Sequence, residues 1–122
     1  MDKQGREFTK KREPMSRFVS HLSKEAAAVQ GDMFLVLRNK TRLRIIDLLS
    51  RYGGLLCVGE MADVLSETPS VISSHLAVLR AVKVVSRETF GSHAYYSLEQ
   101  GALIRYTQFL EQLTSPLDEK AQ

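Results

Sequence analysis

The segment from Val58 to Val82 leaves this chain few folds to choose from. Val58, Met61, Ala62 and Leu65 stand at i, i+3, i+4 and i+7, a spacing that predicts one short amphipathic helix. Ser66 and Glu67 leave room only for a tight connection. Thr68 then offers an N-cap oxygen, and Pro69 suits a first helical position because its missing N–H would be unpaired there anyway, so a second helix is predicted over residues 69–82. On that helix Ile72, Leu76, Leu79 and Lys83 follow one stripe, the first three of which can be buried against the preceding helix. Ser70, Ser73, Ser74 and Ala77 follow another, and between Thr68 and Arg80 there is no charge. A face that is small, uncharged and rich in hydroxyls lacks the ion pairs of an ordinary surface helix, and it can approach base edges and phosphates without burying an unpaired charge.

The flanking segments extend the pattern. Phe18, Leu22, Ala26, Val29, Met33 and Leu37 recur at steps of three and four, which predicts one long helix from Ser16 with Gly31 as its weak point. Asn39 is a predicted N-cap for a helix over Lys40 to Ser50 carrying Leu43, Ile45, Ile46, Leu48 and Leu49, and Tyr52-Gly53-Gly54 ends it. Val84 to Thr89 and Ala94 to Leu98 alternate as two strands, with Phe90-Gly91-Ser92-His93 as their link. A last helix from Gln100 places Leu103, Tyr106, Leu110 and Leu113 on one stripe and is closed by Pro116. The expected fold is therefore mainly α with a small β-hairpin: four helices, the hairpin and a fifth helix. This is the layout of a winged helix-turn-helix, in which the second helix of the motif enters the major groove and the hairpin touches the flanking backbone. We divide the 122 residues into a flexible basic arm (1–15), one domain that includes the terminal helices (16–115) and a tail (116–122).

Charge adds a partner class. The first seventeen residues hold six basic and three acidic side chains, an excess equal to the formal +3 of the whole chain. A second cluster, Arg38, Lys40, Arg42, Arg44 and Arg51 against Asp47, surrounds a predicted helix. Either run alone suits a solvated surface as well as a polyanion. The single cysteine, Cys57, rules out a disulfide or a multi-thiolate metal cage within one subunit and fits a reducing cytoplasm. No apolar run approaches the roughly 18 residues that span a bilayer, and the N-terminus has no apolar signal core, so a cytoplasmic protein without membrane contact is expected. There is no glycine-rich phosphate loop, nucleophile elbow or paired-histidine metal motif, so no catalytic residue and no cofactor is assigned. The rival from another class is a winged-helix adaptor that binds protein. Salt-dependent binding to a palindromic duplex separates the two.

At these residues the sequence resembles the ArsR/SmtB group of bacterial winged-helix repressors. The matching pieces are VLRNKTRLRIIDLL (36–49), LLCVGEMADVL (55–65), SVISSHLAVLRAVKVVSRE (70–88) and GSHAYYSL (91–98), in the family's order and spacing over roughly residues 30–100. The resemblance implies a homodimer built mainly from the first and last helices, each subunit reading half of an inverted-repeat operator in double-stranded DNA. The apolar stripes of those two helices independently call for a partner, since a monomer of this size could not easily cover them. Carried over, the DNA-contacting positions are Thr68, Ser70, Ser73, Ser74 and His75, with Arg87 and His93 on or beside the wing. The family usually has Arg or Lys just after the wing glycine. Ser92 stands there here, so weaker wing contacts are expected, offset by the basic arm.

Many relatives of that group release DNA on binding a metal. The arsenic and cadmium type uses two cysteines around the third helix; Cys57 occupies the first position and Gly59 the second. The zinc type uses Asp and His at the start of the last helix with His and Glu further along, positions held here by Gln100, Ala102, Leu113 and Pro116. One thiolate is a poor trap for a soft ion, and none of the latter four is a usual zinc ligand. No pair among His21, His75 and His93 has the i, i+4 spacing of a ligand pair. No metal site is expected, and the inducer is expected to be a non-metal or one the sequence does not identify, with a metal- or thiol-responsive sensor using Cys57 as the alternative.

Overall fold

In the computed structural model, residues 14–15 and 22–114 are described. The basic arm, His21, Pro116 and the tail fall outside the described residues apart from Pro14 and Met15. Helix α1 (Lys24–Leu37) is capped by Ser23, whose hydroxyl accepts from the Ala26 N–H at 3.0 Å. Ser23 has an extended backbone with ψ 162°, so the predicted single helix from Ser16 does not run through Leu22 and Ser23. A serine that can cap outcompetes continuation of the apolar period. Gly31 lies inside α1 without a break.

Asn39 caps α2 (Lys40–Tyr52), its Oδ1 accepting from Arg42 N–H at 3.1 Å, and Gly53 ends it with φ +76°. Replacing Asn39 with Ala is expected to cost about 1 kcal/mol, because one donor of the first turn loses its acceptor. Urea denaturation of the two proteins at equal concentration measures it.

Helix α3 (Val58–Leu65) and helix α4 (Pro69–Ala81) occupy the two predicted positions. Each ends in the same way. After α3, Ser66 adopts φ +56°, Glu67 N–H donates to Ala62 O at 3.0 Å and Ser66 N–H to Asp63 O at 3.4 Å. After α4, Lys83 adopts φ +64°, Val84 N–H donates to Leu79 O at 2.9 Å and Lys83 N–H to Arg80 O at 3.0 Å. These are Schellman closures, with Ser66 and Lys83 in the left-handed position that glycine favours. Lys83 is therefore off the helix, and the stripe predicted through it ends at Leu79. The hydrophobic partner of the second closure is Val84, which is fully buried together with Leu79.

The hairpin pairs β2 (Val85–Phe90) with β3 (His93–Leu98), leaving Gly91 and Ser92 as a two-residue turn. Gly91 has φ +63°, as such a turn with glycine first requires. The sheet has a third strand that periodicity did not predict. Strand β1 (Leu56–Cys57) pairs antiparallel with β3, placing Leu56 opposite Tyr96 and Cys57 opposite Tyr95, so the order is β1-β3-β2. Two residues are too few to show alternation. Cys57 also precedes α3, and its backbone N–H is taken by Glu60 Oε1 at 2.9 Å.

Helix α5 (Gln100–Thr114) completes the described chain. The core lies between α2, α3, α4 and the sheet: Ile45, Leu49, Met61, Ile72, Leu76, Leu79 and Val84 are its largest fully buried side chains. The terminal helices contribute little to it. Helix α1 buries Val36 and α5 buries Ala102; of the predicted stripes, Met33 and Leu103 pack against the core while Val29, Leu110 and Leu113 are exposed. The two helices meet through Phe34 and Tyr106, whose rings contact edge to face at 5.0 Å. Desolvation there pushes the Tyr106 phenol above its ordinary range.

Candidate nucleic-acid interface

One side of α4 is clamped to the core. Ile72, Leu76 and Leu79 are each 0% exposed, which at roughly 2 kcal/mol per buried aliphatic side chain fixes how the helix is rotated about its axis. That rotation leaves Ser70, Ser73, Ser74 and Ala77 exposed. Among the described residues none of the three serine hydroxyls has a protein partner, in contrast to Thr107 and Thr114, which bond back to Leu103 O and Glu111 O within α5. The ridge is thus a row of unengaged donors and acceptors.

Thr68 is exposed at the start of the same helix, but its Oγ1 already accepts from Val71 N–H at 3.2 Å. Its hydroxyl proton and one remaining lone pair are left for an outside partner. His75 is half-buried at the border between the clamped stripe and the ridge, and its Nδ1 accepts from Arg42 Nε at 3.2 Å. Arg42 was grouped by sequence with the basic cluster of α2. No local period could have revealed a bond that spans 33 residues.

The same cluster divides by role. Arg44 Nη1 donates to Leu65 O at 3.2 Å, closing the C-terminus of α3 where unpaired carbonyls gather. Arg51 pairs with Asp47 at 2.9 Å on an exposed face, a contact worth little. Arg38 and Lys40 are exposed.

The wing holds Arg87 and His93 on different faces. Side chains alternate across a sheet, and cross-strand partners share a face. Arg87 lies opposite Tyr96, on the face that packs through Tyr96 and Leu98 onto the core. His93 lies opposite Phe90 and contacts Tyr95 at 6.5 Å between ring centroids, on the other face. Both are exposed, at different sides of the ribbon. Ser92 is exposed at the turn.

Among the described residues no group of three His, Cys, Asp or Glu side chains is placed to hold a metal ion. Cys57 is half-buried. No helix of the described residues is long and apolar enough to cross a membrane.

A core-clamped helix that follows a tight helix–turn, offers solvent a hydroxyl ridge and is flanked by a hairpin defines a winged helix-turn-helix protein. Residues 39–87 match the family described as "Bacterial regulatory protein, arsR family". Over 73 residues the chain is 33% identical to the transcriptional repressor SdpR of Bacillus subtilis, covering 60% of this chain and 79% of that one. Over 77 residues it is 31% identical to the SmtB-homologous transcriptional repressor of Synechocystis, covering 63% of this chain but 57% of that protein. An ArsR-like transcriptional regulator from Rhodococcus superposes with a TM-score of 0.69 at 23% identity, over 80% of this chain and 90% of the other, which speaks for the fold. The chain belongs to the ArsR family of winged helix-turn-helix transcriptional regulators. Its relatives are named as regulators of transcription, and it is not an enzyme.

Proposed function

We propose that the protein is a cytoplasmic homodimeric repressor that reads an inverted-repeat operator with α4 and releases it in response to a non-metal inducer. The observation that carries this reading is the unengaged ridge of Ser70, Ser73 and Ser74 on a helix whose opposite side is locked into the core. Thr68 and His75 border the ridge, and Arg87 and His93 would meet backbone beside it from the two faces of the wing. Repression is what the names of the two curated relatives state for those proteins.

The dimer would form on the terminal helices. Val29 and Leu35 of α1 are 66% and 63% exposed, and Ile104 and Leu113 of α5 are 54% and 57% exposed, on helices that bury one residue each in the subunit. Helices of 14 and 15 residues gain most of their stability from a packed apolar face, and a second copy supplies one. Leu35→Glu together with Ile104→Glu is expected to give a monomer in analytical ultracentrifugation and to weaken operator binding by on the order of a hundredfold or more, because the second half-site is no longer held nearby. A dimer that survives both changes refutes this interface.

The non-metal inducer is supported by Gly59, Gln100, Ala102 and Leu113 at positions where metal-responsive relatives were expected to carry ligands. The test of the whole reading is selection of duplex DNA from random sequence, followed by titration at rising salt. An enriched inverted repeat and a linear fall of log K with log salt, about 0.9 per phosphate neutralised, are expected. An adaptor that binds protein would show neither.

A further inference from the structure

Arg42 belongs to the first turn of α2, yet its side chain reaches two other helices. Nη1 donates to Val36 O, near the end of α1, at 3.2 Å, and Nε donates to His75 Nδ1 on α4 at 3.2 Å. The side chain is half-buried, and it has no carboxylate partner among the described residues. Two of its five N–H donors are engaged by these acceptors.

A guanidinium nitrogen can only donate, so the imidazole nitrogen facing it must present a lone pair. The proton of neutral His75 is thereby confined to Nε2. Nε2 has no protein partner among the described residues, and His75 stands where the buried stripe of α4 meets the exposed ridge. Free imidazole would offer DNA either a donor or an acceptor. Held by Arg42, it offers a donor alone.

We propose that Arg42 is a positioning residue for sequence reading: by fixing the Nε2–H tautomer it makes His75 an obligate donor, which selects a hydrogen-bond acceptor such as purine N7, guanine O6 or thymine O4 on a base edge. The proposal rests on the reading of α4 as the helix that enters the major groove. It goes beyond that reading in assigning a residue of another helix, outside the groove, to base discrimination.

Two measurements test it on the full chain. The first is two-bond 1H–15N NMR of the His75 ring at pH 8 in the unaltered protein, where a single Nε2–H tautomer is expected, turning into a mixture in Arg42→Met. Detection of Nδ1–H or of two tautomers in the unaltered protein overturns the proposal, and this readout needs no variant to fold. The second is binding to the selected operator and its single-base-pair variants. Arg42→Met and His75→Ala are each expected to flatten discrimination at the same base pair by on the order of tenfold, and Arg42→Met added to His75→Ala to change it no further. A mere brace between helices would instead lower affinity evenly across all base pairs in every background, which overturns the assignment. If the unaltered protein enriches no duplex at all, the DNA reading itself falls and takes this proposal with it. An operator bound without the tautomer or the coupling removes the proposal alone.

Discussion

Ser73→Glu is expected to lower operator affinity by on the order of a hundredfold or more while leaving the fold and the dimer intact. Ser73 is exposed, its hydroxyl is unengaged among the described residues, and its neighbours Ser70 and Ser74 are equally small. A carboxylate at that place costs nothing in the free protein, since an exposed glutamate in a helix is solvated and has good helical propensity. In the groove it meets phosphate charge and base acceptors, loses its water and finds few donors to replace it. The loss therefore appears on binding and not on folding. Fluorescence anisotropy with labelled operator measures the first, and thermal melting with sedimentation measures the second. Ser73→Ala sets the scale, because it removes one hydroxyl without adding repulsion, and a loss of about tenfold or less is expected for it. If Ser73→Glu bound the operator normally, the groove-facing side of α4 would have to be elsewhere.

Leu76→Ala is expected to act in the opposite way, on folding first. Leu76 is 0% exposed between Ile72 and Leu79 on α4, a helix that contacts α2, α3 and the sheet. Truncating a fully buried leucine costs about 2–5 kcal/mol, the higher values applying where the surroundings cannot collapse into the cavity. Here the site is enclosed by helices joined through short, closed turns, so a cost of about 3–4 kcal/mol is expected. At fixed protein concentration that corresponds to a fall in Tm on the order of 10–20 °C. Val64→Ala is the control: Val64 is 62% exposed on α3, and its truncation is expected to change stability by about 0.5 kcal/mol or less. Urea titration of the three proteins decides it, and equal midpoints would mean that α4 is not anchored by this stripe. Operator affinity of Leu76→Ala measured well below its melting range should recover most of its normal value, because the ridge itself is untouched.

Local sequence patterns carried the elements that depend on neighbours in the chain. Asn39 and Thr68 cap their helices through their own side chains, Val58 to Leu65 forms a helix over its predicted bounds, and Gly91 turns the hairpin. The exposed ridge was legible for the same reason, since a period of 3.6 that buries Ile72, Leu76 and Leu79 must turn Ser70, Ser73 and Ser74 outward. Where two local signals competed, periodicity misled. The apolar spacing around Leu22 and Ala26 favoured one helix, and the cap at Ser23 interrupted it. The stripes of α1 and α5 were correctly seen as apolar, but which of their residues pack inside the subunit depends on the angle at which each helix crosses the body. Met33, Val36 and Leu103 meet the core while Val29, Leu110 and Leu113 do not.

By itself the sequence determined the order of the elements, the turn chemistry between them and the hydroxyl ridge, because each is set by interactions within a few residues of the chain. Tertiary structure alone decided that Leu56 and Cys57 form a strand against Tyr96 and Tyr95, that Arg87 and His93 lie on opposite faces of the wing, and that Arg42 holds His75. Those three facts join segments far apart in the chain, and such pairings depend on where the core brings the backbone, which no local period encodes.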